Sequence, residues 1–161
     1  MRLMKNLSGA IRPHNGWKVI VAENNVFTLN IPSRTDNLEI IRDFVITIAR
    51  KQGFSEDSIG EIELAVDEAC ANVIKHAYHF KDDKEIAIQV ETDEERISIT
   101  ISDEGQGFDP SSLESPEERL QKHARGGLGI ALIRKVMDEV TFNIHPGNTH
   151  VRMVKYIPQA S

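Results

Sequence analysis

Midway along this chain of 161 residues the spacing of apolar side chains changes period, and that change limits the possible fold more than any other feature. From about Ser55 or Ser58 to Tyr78, the residues Ile62, Val66, Ala69, Val73 and Ala77 recur every three to four positions, the period of a helix with one buried stripe. From Lys84 to Ser102 the recurrence is every second position: Ile86, Ile88 and Val90, then Ile97, Ile99 and Ile101, on either side of the charged turn Thr92 to Glu95. That second pattern predicts an antiparallel hairpin with one apolar face. A one-sided helix followed by a one-sided hairpin predicts that each covers the apolar side of the other.

The flanking elements extend the same arrangement. Residues 17–31 hold two β-rich runs split by Asn24 and Asn25, a strand pair. The segment from about Thr35 or Asp36 to Gln52 has helical spacing at Leu38, Ile41, Phe44, Val45 and Ile48, with Gly53 as its stop. Residues 104–126 are polar and rich in Gly, Pro and Ser, with a short helical stretch around Glu117 to Lys122; so long a connection in a compact domain is usually a lid or disordered. A helix from Leu128 to Val136 follows, entered through glycines, then the runs Val140 to Ile144 and Val151 to Ile157 joined by the turn His145 to His150. The expected fold is α+β, a two-layer sandwich in which a mixed, mostly antiparallel sheet is covered on one face by about three helices. Residues 1–16 read as a tail or arm, and 17–161 as a single domain.

Charge and composition narrow the function. With 19 Lys and Arg against 25 Asp and Glu, the net charge of −6 gives no electrostatic footprint for nucleic acid. No apolar stretch reaches the ~20 residues of a membrane-spanning helix, and the opening MRLMKNLSGAIRP lacks the apolar core of a signal peptide, so a cytoplasmic protein is expected. The single cysteine, Cys70, forms neither an intramolecular disulfide nor a cysteine-based zinc site, and reads as a small buried side chain. The pairs His76 with His79 and His145 with His150 lack a third zinc ligand and are expected at the surface.

Four clusters are candidates to carry chemistry. Glu68, Asn72 and Lys75 stand at i, i+4 and i+7 on the long helix, with His76 beside them. A carboxylate, an amide oxygen and an ammonium on one stripe suit magnesium-assisted phosphoryl transfer, although a solvated helix face looks the same. Asp103-Glu104-Gly105-Gln106-Gly107-Phe108 puts an aspartate at the end of a buried strand and two glycines in the turn beyond. An EF-hand is excluded, because its ligand positions would be Gly105 and Gly107; an ordinary glycine turn remains open. Arg125-Gly126-Gly127-Leu128-Gly129 opens a helix whose N–H groups favour an anion, or forms a hinge. It is neither a P-loop nor a dinucleotide fingerprint, since it lacks the Lys-Ser/Thr and the third glycine. Gly147-Asn148-Thr149 alone is a turn.

Together and in this order, the four clusters resemble the ATP-binding (Bergerat) fold shared by DNA gyrase, Hsp90-type chaperones, histidine kinases and mismatch-repair ATPases. E-x-x-x-N is similar to Glu68–Asn72, D-x-G-x-G to Asp103–Gly107, the glycine box to Gly127–Gly129, and a late glycine–threonine segment to Gly147–Thr149. Within that superfamily the chain looks most like the small bacterial anti-sigma-factor serine/threonine kinases, through ELAVDEACANVIKHAY, ISDEGQGFDP, RGGLGIALIRKVMDEVTF and GNTHVRMVK, over roughly residues 35–156.

The resemblance implies ATP and Mg²⁺ as cofactors, with Asn72 holding the metal and Glu68 acting as general base toward a partner's serine or threonine. It implies that Asp103 recognises the adenine amino group and that Gly105 and Gly107 let the backbone pass close to the nucleotide. Arg125 reaches the γ-phosphate, Gly127, Leu128 and Gly129 present N–H groups to phosphate, Thr149 closes the adenine side, and Lys75 and His76 contact phosphate or ribose. Residues 104–126 become a lid over ATP. Glu104 departs from the common pattern by placing an acid inside the D-x-G-x-G box, and Asn148 replaces a frequent threonine. The implied partners are an anti-sigma-factor antagonist as substrate, a sigma factor, and a second copy of the chain in a homodimer. A binding module that uses ATP only to set its shape is the alternative, and a plain ATPase is a third.

Overall fold

The computed structural model describes residues 18–22, 24–77, 83–104, 127–145 and 148–159. The N-terminal tail, Gly105, Gly107, Arg125, Gly147, the helical stretch expected near Glu117 and nearly all of the expected lid lie outside the described residues, as do the side chains of His76 and Leu128.

Six strands form one sheet in the order β1-β2-β3-β4-β6-β5. They are β1 (Lys18–Ala22), β2 (Val26–Pro32), β3 (Glu85–Thr92), β4 (Arg96–Asp103), β5 (Glu139–His145) and β6 (Asn148–Tyr156). Every pairing among the described residues is antiparallel, so the sheet carries none of the parallel pairing that a mixed sheet would have. The first hairpin turns through Asn24 and Asn25, whose φ values of 70° and 61° are left-handed angles that asparagine tolerates better than most residues. The last hairpin is tighter than the apolar runs indicated. Asn148 pairs with His145 and Thr149 with Ile144, so both are strand residues rather than turn residues.

Register aligns one apolar face across the strands. Leu29, Ile88, Ile101 and Val151 lie in one row, and Val90, Ile99 and Met153 in the next. All seven are buried. The intervening positions Thr28, Gln89, Thr100 and Arg152 belong to the polar face.

Three α-helices cover the apolar face. α1 (Leu38–Lys51) follows a 3-10 turn at Thr35–Asn37 and ends at Gly53, which takes a φ of 85°. α2 (Glu56–Asn72) starts where the Ser55 hydroxyl accepts from the Ser58 N–H at 3.2 Å, with Glu56 and Asp57 in the positive first turn. α3 (Gly127–Val136) packs beside α2. Arg42 of α1 clasps Asp67 of α2 with three hydrogen bonds of 2.9, 3.1 and 3.2 Å and approaches Glu63 at 3.4 Å, which fixes the two helices together. Their buried side chains and those of the sheet form one core.

The long helix is not continuous α-helix to Tyr78. After Asn72 it widens into a π-helical turn, Val73–Ala77, which buries both Val73 and Ile74. Such wide turns concentrate at functional sites. Among the described residues no helix is long and apolar enough to cross a membrane.

Candidate functional site

Glu68 and Asn72 sit one turn apart on α2, both half-buried, on the flank that faces α3. Gly129 of α3 closes that flank. A Cβ built on Gly129 would lie 2.7 Å from Glu68 Oε2 and 3.6 Å from both amide atoms of Asn72. Only glycine lets the start of α3 approach the two side chains this closely. The glycine box and the E-x-x-x-N pair, each compatible with a bland reading in the sequence, are therefore one surface.

Lys75 lies beyond Asn72 on the wider π-helical turn, where it is exposed.

Asp103 and Thr149 form a second juxtaposition. Asp103 ends β4 on the apolar face and is 5% exposed; Thr149 stands directly opposite it on β6. Thr149 Oγ1 is buried and has no hydrogen-bond partner among the described residues. A buried hydroxyl left unpaired is costly, and a polar ligand edge at this position would relieve it. This pair was out of reach of spacing arguments, because only the insertion of β6 beside β4 brings the two residues together.

The donor set suits a hard cation and phosphate. Asn72 Oδ1 and the Glu68 carboxylate are oxygen donors of the kind magnesium takes, and the N-terminus of α3 beside them favours negative charge. No group of three His, Cys, Asp or Glu side chains that could hold a metal occurs among the described residues. Cys70 is fully buried and its thiol is pushed well above the ordinary range by burial, with Asp67 adding to the rise, which removes it as a nucleophile. His150 is half-buried, with Nε2 2.8 Å from Asn143 Nδ2.

Sequence reasoning passed over two polar residues at the other end of the same helix seam. Lys155 occupies an apolar-face position of β6, in alternation with Val151 and Met153, yet is 8% exposed. It pairs with Glu61 of α2 and donates to Val136 O of α3 at 2.6 Å. The signal was a lysine where the period of the strand calls for an apolar side chain.

The chain is similar to known proteins over most of its length. Residues 31–155 match the family described as histidine kinase-like ATPase domain. The chain is 35% identical over 132 residues to serine-protein kinase RsbW of Bacillus licheniformis, covering 78% of this chain and 82% of that protein. Against serine-protein kinase RsbW of Bacillus subtilis strain 168, identity is 32% over 135 residues, covering 80% and 84%. Among solved structures, the RsbU and RsbW domains of a Mycobacterium tuberculosis protein match with a TM-score of 0.60 at 13% identity, over 81% of this chain and 31% of that longer one. The SiaB–SiaC complex from Pseudomonas aeruginosa matches with a TM-score of 0.59 at 14% identity, over 83% of this chain and 92% of that chain.

Proposed function

The chain belongs to the histidine kinase-like ATPase family and, within it, to the serine-protein kinases RsbW, and from that membership we propose an anti-sigma regulatory kinase. It uses ATP to phosphorylate a serine or threonine on an anti-sigma-factor antagonist, and it sequesters a sigma factor through a separate surface. The observation that carries the catalytic part is the packing of Gly129 against Glu68 and Asn72.

In this reading Asp103 and Thr149 receive the adenine edge, which supplies the partner that Thr149 Oγ1 lacks among the described residues. Gly127, Leu128 and Gly129 offer the N–H groups of the α3 N-terminus to phosphate oxygens, in a place where the helix dipole favours negative charge. Asn72 Oδ1 holds Mg²⁺, which when bound neutralises charge on the phosphates. Glu68 takes the proton of the incoming hydroxyl as its oxygen bonds to the γ-phosphorus and the bond to the departing ADP oxygen breaks. Arg125 meets the transferring charge, and Lys75 and His76 contact phosphate or ribose at the rim. Residues 17–161 act as one nucleotide-binding domain, the backbone at Gly105 and Gly107 lies close to the nucleotide, and the segment 104–126 serves as a lid that excludes water.

A carboxylate held beside the phosphate site would repel ATP and has no use in a module that only binds nucleotide, so Glu68 favours transfer over binding alone. Titration with a non-hydrolysable ATP analogue, with Mg²⁺ and with chelator, tests the site: binding that depends on magnesium and is lost in Asn72→Ala is expected. Absence of binding under every condition would overturn the nucleotide site. Glu68→Gln is expected to bind the analogue and to lose phosphorylation of the antagonist; phosphorylation equal to that of the parent would remove Glu68 as the base.

A further inference from the structure

α2 and α3 run antiparallel along one seam that is held at both ends. At one end Gly129 rests on Glu68 and Asn72. At the other, Lys155 joins Glu61 of α2 to Val136 O of α3. Glu61 and Glu68 are seven residues apart, and so are Gly129 and Val136, so both intervals rise by about 10.5 Å and the two contacts fall opposite each other.

Lys155 is an expensive residue in its position. Its neighbours on the apolar face of β6 are Val151 and Met153, and a buried ammonium is destabilising unless it is paired and hydrogen-bonded. What it provides is directional. Val136 O is among the terminal carbonyls of α3 that have no partner within the helix, and a cation at this end also meets the negative pole of the helix dipole. An apolar side chain would fill the same space without fixing α3 along its own axis.

Axial placement matters here because the opposite end leaves no room for a Cβ. We propose that Lys155 is a positioning residue for the glycine box: by gripping Val136 O and Glu61 it sets the slide of α3 along α2, and so the seat of the Glu68 carboxylate against Gly129. The proposal rests on the kinase reading for its catalytic consequence alone.

Lys155→Met, which keeps length and removes the charge, tests it in the full chain by two measurements. The first is amide hydrogen exchange without nucleotide. Exchange at Ala131–Ile133 of α3 is expected to rise at least ~10-fold, while Ile41–Ile48 of α1 stays within about three-fold of the parent. Unchanged exchange in α3 overturns the clamp whatever the activity. The second is phosphorylation of the antagonist, where kcat is expected to fall at least ~10-fold with KM for ATP within about three-fold. Raised exchange with kcat unchanged overturns the link to transfer. Combined with Gly129→Ala, the losses in kcat are expected to be less than additive, and full additivity overturns action through Gly129. If Lys155→Met does not fold, Glu61→Ala, which removes the partner from the more exposed side, takes its place in both measurements. A parent protein that transfers no phosphate refutes the kinase reading, and exchange in α3 then decides the clamp alone.

Discussion

Gly129→Ala separates the chemistry of the site from the stability of the fold. The added Cβ lies 2.7 Å from Glu68 Oε2, and ordinary contact begins at 3.4 Å, so the carboxylate must withdraw by ~0.7 Å. Asn72 already stands at an ordinary 3.6 Å and need not move. The backbone of Gly129 is helical, so alanine adopts it without strain and gains about 0.8–1.0 kcal/mol of helix propensity. Because the obstructed atom is the tip of a rotatable side chain, relief costs about 0.5–1.5 kcal/mol. These two terms nearly cancel. The unfolding temperature should therefore move by no more than about 4 °C, from a net of about 1 kcal/mol in a domain of this size.

Catalysis should respond very differently. Displacing a reacting group by about 1 Å costs on the order of 10²-fold, or ~2.7 kcal/mol of transition-state stabilisation. The assay is phosphorylation of purified antagonist at saturating ATP, alongside thermal unfolding and nucleotide titration. A kcat reduced 30-fold or more with near-parental melting and nucleotide affinity is the expected pattern, on the order set by that displacement. A kcat within about three-fold of the parent, or melting lowered by more than ~10 °C, would refute the reasoning.

Asp103→Asn removes a buried charged acceptor from the proposed adenine end and should weaken ATP binding about 10- to 100-fold, from the 1.5–3 kcal/mol typical of hydrogen bonds to charged groups; an unchanged Kd would refute that assignment. The Cys70 thiol, raised by burial, should react with iodoacetamide at pH 8 at least ~100-fold more slowly in the native protein than in urea, and equal rates would contradict its burial. Asp93 accepts from the N–H groups of Glu95 and Arg96 at 2.8 and 2.9 Å, and these bonds, together with the Arg96 side chain, lower its pKa in the folded state. Its contribution to stability is thus full above the unfolded-state value near 4 and is lost as pH falls through the lower native value. Urea midpoints of the parent and Asp93→Ala should differ at neutral pH and draw together as pH falls below the unfolded-state value; a constant gap would refute the linkage.

Most of the architecture was legible because each element announces its own period. Ile86 to Ile101 fixed the central hairpin, and Gly53 marked the end of the first helix. Glu68 with Asn72 was legible as a pair because both lie on one helix turn. What depended on register was not. Asp103 and Thr149 become neighbours through strand order, which no local pattern encodes, and the continuation of β6 through Thr149 hid inside what looked like a turn. The π-helical turn at Val73–Ala77 has no compositional mark, so a constant period could not announce it. Lys155 was legible in principle, as a charge at an apolar position, but its meaning lies in the two helices it touches.

The strand order also governs when the site comes into being during synthesis. β6 leaves the ribosome after β4 and β5, yet it is seated between them and carries both Thr149 and Lys155. Until it is made, β4 has an open edge, Asp103 lacks its neighbour, and α3 has nothing to grip its far end. In a nascent chain that has reached β5 but not β6, the proposed nucleotide site therefore lacks Thr149, and α3 lacks the lysine that joins its far end to α2.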